Sequence, residues 1–157
     1  MDSAEYQKID LKRGVDYIGV TCVFICHDGK GNILMHKRSK NCRDEQGRWD
    51  CGAGAMEFGE SFETAVRREI KEEYCADPIS LRYVATNNVL RKHNGADTHW
   101  IAVLFAARVD PAQVKIGEPD KIDEVAWFAH NDLPNHTHSM LQEHLEMVKA
   151  SGGEFLV

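Results

Sequence analysis

The sequence predicts an α+β fold, within the broad α/β class, in which a mixed β-sheet is sandwiched between α-helices. Two observations predict it: runs rich in β-branched and aromatic residues outnumber helical segments, and the segments follow in the order β-β-α-β-β-β-α. The length of 157 residues and the hydrophobic fraction of 43% suit a single compact domain. We therefore expect one domain over residues 1–157, with its core at about residues 15–150.

The first part of the chain carries a predicted β-hairpin. Residues 15–27 are rich in β-branched and aromatic side chains, and a second such run at residues 33–36 follows the turn-prone segment 28–32. The polar residues 39–48 indicate a loop. Residues 49–59 are rich in glycine and have little helical pattern, so we expect irregular structure or a short strand there.

A helix is predicted from the N-cap residue Ser61 to about Tyr74. Serine is a favoured N-cap, because its hydroxyl accepts a hydrogen bond from a backbone amide of the first turn. Apolar side chains then recur at helical spacing, at Phe62, Ala65, Val66 and Ile70. The Asp77-Pro78 pair should stop the helix.

The rest of the chain supplies three predicted strands and a second helix. Residues 81–91 and 98–109 have strand composition and are joined by a turn at residues 93–95, so we expect them to pair antiparallel. A short strand at residues 125–128 follows a loop with proline and glycine. The last predicted element is a helix at about residues 137–150.

Charge and hydropathy narrow the classes of partner. The net charge of -6 repels polyanions, and no basic stripe is present, so we expect no nucleic-acid polymer as partner. The longest apolar runs, residues 20–26 and 101–107, are far shorter than the roughly 20 residues of a membrane helix, so we expect no membrane partner. Without a recognisable secretory signal, we expect a cytoplasmic protein. A homodimer is compatible with the sequence.

Three glutamates fall on one face of the first predicted helix. At 100° per residue and with Glu69 as origin, Glu73 lies at about 40° and Glu72 at about 60° in the opposite direction. Phe62 and Val66 fall on the same face. The three carboxylates should therefore point toward whatever these two apolar side chains pack against.

Like charges in such a place need compensation. Clustered carboxylates that are partly buried cost free energy unless something offsets the charge. A hard cation would offset it, and carboxylates without His or Cys favour Mg²⁺, with Mn²⁺ as a substitute, over Zn²⁺. Mg²⁺ commonly shares phosphate oxygens with a substrate, so the cluster suggests phosphoryl chemistry. From helix geometry alone, a solvated acidic face remains the alternative.

The segment from Gly54 to Ala76 resembles the Nudix box, Gly-x5-Glu-x7-Arg-Glu-U-x-Glu-Glu-x-Gly-U, where U is a bulky aliphatic residue. Seven of its nine specified positions match: Gly54, Glu60, Arg68, Glu69, Ile70, Glu72 and Glu73. Trp49 ahead of the glycines, Arg38 in the string HKRS, and residues 124–134 also look like those of Nudix domains. The chain is thereby identified as a member of the Nudix hydrolase family, which implies the Nudix fold.

Three positions depart from the family pattern. Cys75 replaces the glycine that ends the helix, and Ala76 replaces the bulky aliphatic residue. If residue 75 is left-handed, its side chain costs about 1 kcal/mol, which affects stability more than chemistry. Ala53 stands where many members have a glycine whose backbone carbonyl binds the metal; that carbonyl survives the change.

The resemblance assigns roles to the glutamates. Glu69 and Glu73 would be the principal metal ligands, with Glu72 bound directly or one layer further out and Ala53 contributing its carbonyl. One of the glutamates, or a carboxylate from the loop 118–124, would activate water. The metal would neutralise the diphosphate and stabilise the leaving phosphate.

Further residues are implied around this centre. Arg68 would orient the site by pairing with Glu57 or Glu60, and Glu60 belongs to the catalytic set. Candidate substrate contacts are Arg38 for a phosphate, Glu57, and Trp49 for stacking on a base. We also consider His136 or His138 for the base pocket, although surface histidines are the commoner case.

The resemblance implies cleavage of a nucleoside diphosphate linked to a further group X, into two phosphorylated products. The compact length and the stretch at residues 56–62 favour a (deoxy)nucleoside triphosphate, including damaged ones, split into monophosphate and pyrophosphate. A nucleotide-sugar or ADP-ribose pyrophosphatase is the alternative, although the strings that often mark such members after the box are absent. The partner in either case is a small nucleotide.

Two further alternatives lie outside hydrolysis. An isoprenyl diphosphate isomerase would need a cysteine seven residues before the first box glutamate, where Ala53 stands, with Cys51 two residues away. A non-catalytic Nudix-fold nucleotide-binding regulator would usually have lost box glutamates, and this chain keeps all four. Both therefore rank below the hydrolase.

Overall fold

The computed structural model describes residues 9–152. Its strands are β1 Gly19–His27, β2 Asn32–Arg38, β3 Trp49–Asp50, β4 Gly52–Ala55, β5 Ser80–His93, β6 Ala96–Arg108 and β7 Ile122–Ala129. Its helices are α1 Phe62–Tyr74 and α2 Leu141–Ala150, with a short 3-10 turn at Pro111–Gln113.

The strands form one mixed sheet in the order β3-β2-β1-β6-β5, with β4 added to β1 and β7 added to β2. Strands β1 and β6 run parallel, and the other pairs are antiparallel. The antiparallel pairing of β5 with β6 confirms the prediction. Their two-residue connection, Asn94-Gly95, has positive φ at both positions (49° and 79°), which is the conformation that a tight hairpin turn requires.

Alternate residues of β1 supply two cores, one on each face of the sheet. Cys22 and Phe24 pack with the buried residues of α1, including Val66 and Ile70. Val23 and Ile25 pack on the other face with the residues of α2. This division follows from the two-residue period of a strand, and it confirms the sheet sandwiched between helices.

The two helices differ in how well their starts were predicted. Helix α1 begins after Ser61, whose side chain accepts a hydrogen bond from the Thr64 amide, and this confirms the predicted cap. Helix α2 begins at Leu141, and the prediction of a start near Thr137 was wrong. Backbone bonds explain the difference: the His138 amide donates to Trp49 and the Trp49 amide donates to His136, so this segment is held against β3.

No helix within residues 9–152 is long and apolar enough to cross a membrane.

Candidate active site

Helix α1 turns two of its glutamates inward. Glu69 and Glu73 are each only 8% exposed, whereas the Glu72 side chain is 51% exposed at the edge of the same face. The prediction that Phe62 packs inward was wrong, because Phe62 is 46% exposed and burial begins in the second turn at Ala65. The inward-facing acidic group is thus a pair, with Glu72 beside it.

Strand β4 leaves room for this pair by means of two glycines. A Cβ atom on Gly54 would overlap the carboxyl group of Glu69. A Cβ atom on Gly52 would come within 2.6 Å of Glu73 Oε2 and would overlap the Phe24 ring. The alternation of glycines in β4 therefore lets two carboxylates lie against the backbone of the sheet.

Burial makes the ionised form of both glutamates unfavourable. The pKa of Glu73 is raised well above its usual value, first by burial and then by the nearby carboxylates of Glu69 and Glu118. The pKa of Glu69 is also raised, mainly by burial, against the opposing effect of Arg68. The Glu73 carboxylate accepts a hydrogen bond from the backbone of Ala53. The Oε2 atom of Glu73 is nevertheless buried without a hydrogen-bond partner. Such an oxygen is suited to a cation.

Arg68 joins the loop before α1 to the acidic pair. Its Nη2 atom donates to Glu60 Oε2 at 3.0 Å, and its Nη1 atom donates to Glu69 Oε1 at 2.7 Å and lies 3.4 Å from Glu72 Oε2. It also donates to the Ala55 carbonyl oxygen. These bonds hold Arg68 in one orientation and lower the pKa of Glu60 to about 2. Of the two partners expected for Arg68, the structure therefore shows Glu60.

A cavity of about 640 Å³ opens over the acidic pair. Its wall includes Glu57, Glu72 and Glu118, the last of these from the loop that follows the 3-10 turn. The Gly117 amide donates to the Glu73 carbonyl oxygen, and this bond fixes Glu118 beside the end of α1. Glu118 belongs to the loop that the sequence proposed as a source of a water-activating carboxylate.

The donor set of this cavity fits a hard divalent cation. The donors are carboxylate oxygens, and the buried, unpartnered Glu73 oxygen lies beside a second carboxylate. Within residues 9–152, however, no three Asp, Glu, His or Cys side chains already converge on one point. We therefore expect Glu72 or Glu118 to turn toward the buried pair when a cation binds.

The three predicted substrate contacts have different surroundings. Glu57 lines the cavity. Arg38 also lines it, but its guanidinium is paired with Asp44 at 2.9 Å and Asp50 at 3.5 Å. Trp49 lies in β3, with its ring 5.1 Å from that of Phe128 in an edge contact, and does not line the cavity. Its environment is therefore that of a core aromatic residue.

A second cavity, of about 270 Å³, adjoins the first on the α2 side of the sheet. The two share several lining residues, among them Arg38, Asp44 and Ala53. Val89, Trp100 and His138 line the second cavity alone, so its wall is partly apolar and partly polar. One molecule with a charged half and an aromatic half could occupy both.

Comparison with known proteins decides the family. The model of the NUDIX domain matches residues 17–150. The chain belongs to the Nudix family. Members of this family generally use divalent cations, in agreement with the oxygen-rich donor set of α1.

Two relatives of this Nudix chain are named hydrolases. The 8-oxo-dGDP phosphatase NUDT18 of Mus musculus is 29% identical over 130 residues, which are 80% of this chain and 36% of that protein. The NAD-capped RNA hydrolase NudC of Salmonella typhi is 27% identical over 113 residues, 72% of this chain and 40% of that protein. The chain thus spans less than half of either relative. Both names describe hydrolytic enzymes, and the activities they print belong to those longer proteins.

Solved Nudix structures have the same fold. The MutT NUDIX hydrolase from Burkholderia pseudomallei has a TM-score of 0.74 and 29% identity, over 84% of this chain and 98% of that chain. The NUDIX domain of Shewanella oneidensis NrtR, crystallised with ADP ribose, has a TM-score of 0.70 at 16% identity, over 96% of this chain and 98% of that chain. The second likeness shows the fold alone.

Several residues of this Nudix site were not predicted from the sequence. His36, which lines the larger cavity, begins the string HKRS, from which only Arg38 was taken as a candidate. Asp50 lies between the cation of Arg38 and the ring of His138 (3.9 Å). Burial raises the pKa of Asp50 to about 7 despite the nearby Arg38. The sequence offered one signal for Asp50, which is a charged residue between Trp49 and Cys51 in a segment predicted as irregular structure or a short strand.

Proposed function

We propose that this Nudix protein is a Mg²⁺-dependent pyrophosphohydrolase, with Mn²⁺ as a substitute, that cleaves nucleoside diphosphate-X linkages. The observation that carries the proposal is the Glu69 and Glu73 pair, held against the glycines of β4, with Glu73 Oε2 buried and unpartnered at the cavity. A buried acidic pair with an orphaned oxygen is costly for a protein unless a cation completes it.

The chemistry divides between the cation and the side chains. A bound divalent cation would neutralise the diphosphate and ease departure of the leaving phosphate. Glu69 and Glu73 would hold it, with Glu72 and the Ala53 carbonyl as further donors. Arg68 would keep Glu69 oriented through its hydrogen bonds to Glu69 and Glu60. Glu118 would take a proton from the attacking water; this assignment is supported by its place beside the acidic pair and outside the Arg68 network.

For the substrate we favour a (deoxy)nucleoside triphosphate, cut to the monophosphate and pyrophosphate, in a cytoplasmic setting. The smaller cavity adjoins the acidic one and contains Trp100 and His138, surfaces against which a base could lie. A relative named for 8-oxo-dGDP suggests testing oxidised purine nucleotides first. An ADP-ribose-type substrate is the second candidate, because the NrtR domain of the same fold is described with ADP ribose.

A nucleotide panel tests the proposal. The purified chain is incubated with dGTP, 8-oxo-dGTP, 8-oxo-dGDP, ADP-ribose and NAD⁺, each with Mg²⁺, with Mn²⁺ and with EDTA, and the products are separated by chromatography. We expect two phosphorylated products from a triphosphate, one of them pyrophosphate, and none in EDTA. From 8-oxo-dGDP the same cleavage yields the monophosphate and inorganic phosphate. Release of inorganic phosphate and a nucleoside diphosphate from a triphosphate would contradict the pyrophosphohydrolase assignment for that substrate. Turnover that persists in EDTA would contradict the metal requirement.

A further inference from the structure

A buried histidine and tyrosine form a pair next to the acidic centre. His36 lies on β2 and is 5% exposed, and Tyr74 is the last residue of α1 and is 1% exposed. The His36 Nδ1 atom and the Tyr74 hydroxyl oxygen are 2.6 Å apart. Neither residue is among the proposed metal ligands or catalytic side chains.

Hydrogen bonding of Tyr74 selects one tautomer of His36. The contact permits either group to donate. If Nδ1 donated, the buried phenolic proton would have no acceptor among the described residues, because Tyr74 makes no other hydrogen bond there. If Tyr74 donates to Nδ1, both groups are satisfied, as buried polar groups usually are. The proton of the neutral ring then resides on Nε2.

The protonated Nε2 atom is the part of His36 that remains available. His36 lines the cavity of about 640 Å³ together with Glu73 and Glu118. Its Nε2 atom has no hydrogen-bond partner among residues 9–152, and it is not among the polar atoms sealed from solvent. The pKa of His36 is lowered to about 4, first because the ring is buried and then because the positive charge of Arg38 lies nearby. The ring therefore stays neutral near pH 7. His36 thus offers an N–H donor without an added charge.

A hydrogen-bond donor on this wall of the cavity would favour binding of a phosphate. Glu69, Glu73 and Glu118 present acceptors, which repel the oxygens of a phosphate. The guanidinium of Arg68 is already engaged by Glu60 and Glu69. Arg13, Arg43 and Lys121 also line the cavity and can offset the charge of a phosphate. His36 adds an uncharged hydrogen-bond donor from β2 on the wall that carries Glu73.

We propose that His36 is a substrate-contacting residue, whose Nε2–H donates to a phosphate oxygen of the bound nucleotide, and that Tyr74 is the positioning residue that keeps the proton there. The inference rests on the proposed function for the class of ligand. It adds a contact from β2 that is independent of the glutamates of α1.

The test compares three variants with a matched control. His36→Leu removes the donor, His36→Gln keeps an amide N–H near the position of Nε2, and Tyr74→Phe removes only the group that selects the tautomer. His130→Leu, outside both cavities, is the control. Each variant is titrated calorimetrically with a nucleotide analogue that carries methylene in place of the α,β-bridging oxygen, in Mg²⁺, so that turnover is not required.

We expect His36→Leu to weaken binding of the analogue roughly 10- to 100-fold, the scale of one hydrogen bond to a charged group. His36→Gln should stay within about threefold of the parent, with Tyr74→Phe between the two and His130→Leu unchanged. For any substrate found, the loss in His36→Leu should appear mainly in KM. Nitrogen NMR of the parent should show Nδ1 unprotonated and Nε2 protonated, a result that does not depend on folding of any variant.

The outcomes separate the two proposals. Equal analogue affinity in His36→Leu and the parent, or equal losses in His36→Leu and His36→Gln, would overturn the role of His36 alone. A proton on Nδ1 would overturn the role of Tyr74. Analogue binding that depends on His36, without turnover of any phosphoric anhydride, would contradict the proposed function and leave the contact standing. A parent that does not bind the analogue contradicts both.

Discussion

The carboxyl group of Glu69 lies where a side chain on Gly54 would have to be. The overlap in Gly54→Ala involves only the far end of a flexible side chain, so the fold should tolerate it while Glu69 is displaced. We expect activity to fall at least about 10-fold, with a loss of unfolding free energy of no more than about 1 kcal/mol. Steady-state kinetics and urea denaturation measure the two effects.

The control is Gly95, where an added side chain would strain the backbone but would contact no neighbouring atom. Gly95 has a φ of 79° in the β5–β6 turn, and no atom lies within 4 Å of the position that a Cβ atom would take there. Gly95→Ala should therefore lower stability by about 1 kcal/mol through backbone strain and leave activity unchanged. If both alanines reduced activity in proportion to stability, steric protection of Glu69 would not be the reason for Gly54.

Asp50 should make the stability of the protein depend on pH. Its pKa, about 7 in the folded protein, lies above the ordinary value of 3.8, so the folded state holds its proton more tightly than the unfolded chain does. This contribution is fully present below about pH 4 and is lost as pH rises through about 7. The side chain is 16% exposed, so some contact with solvent moderates the effect.

Asp50→Asn tests the direction in which stability changes with pH. The amide keeps an oxygen that can accept the Cys51 amide bond and removes the buried charge. We expect the free energy of unfolding of the variant to exceed that of the parent by about 2 kcal/mol at pH 8 and to equal it at pH 4. Each pKa unit corresponds to about 1.4 kcal/mol. Chemical denaturation at the two pH values measures it, and a variant less stable than the parent at pH 8 would contradict the raised pKa.

At the scale of single residues, the sequence predicted contacts along α1 better than contacts across the sheet. The Arg68–Glu60 pair is one of the two pairs, with Glu57 or Glu60, that the resemblance to a motif of fixed spacing implied. The His36–Tyr74 pair joins residues 38 positions apart, and no periodicity links a strand residue to the end of a helix. Phe62 shared the calculated face of Val66, but the helix starts there, and the first turn stays exposed.

Helix α1 ends in a strained residue that replaces the family glycine. Cys75 has a φ of 57°, in the left-handed region, and its amide donates to the Lys71 carbonyl oxygen. Cys75→Gly should therefore raise the free energy of unfolding by about 0.5 to 1 kcal/mol, because glycine adopts this conformation without a steric cost. Cys75→Ala keeps the strain and is the control. Thermal and urea unfolding measure both, and equal stability of the two variants would contradict the account of the helix end.

Elements with strong local signals were predicted with good bounds, and elements defined by distant contacts were not. The cap of α1 and the β5–β6 turn depend on residues that lie next to each other in the chain. The start of α2 depends on backbone bonds between residues 136–138 and Trp49 in β3. Local propensity carries no information on such a pairing, so the predicted helix extended too far toward the N-terminus.

At the scale of the molecule, Glu45 ties together parts of the chain that border both cavities. It accepts hydrogen bonds from Arg91 on β5 and from the Ser139 amide before α2, both at 2.8 Å. The loop that carries it also places Arg43 and Asp44 in the walls of the two cavities. The position of this loop thus depends on contacts between segments about 46 and 94 residues apart.

Replacing Glu45 should loosen the loop and weaken substrate binding. Glu45→Gln removes the charge that Arg91 faces, so we expect a loss of about 1 to 3 kcal/mol of stability and a rise in KM with a smaller change in kcat. Glu146→Gln on the exposed side of α2 is the control. Urea denaturation and Michaelis kinetics provide the measurements, and an unchanged KM in a destabilised variant would argue against a link between the loop and the cavities.

In the proposed reaction, the buried carboxylates of α1 hold the cation for hydrolysis of a phosphoric anhydride. The most direct test is the hydrolysis rate of the best substrate from the panel, at saturating Mg²⁺, in Glu73→Gln and in Glu63→Gln, an exposed glutamate of the same helix. We expect Glu73→Gln to lower kcat by at least about 100-fold and Glu63→Gln to leave it within twofold of the parent. Turnover of Glu73→Gln at the parental rate would contradict the claim.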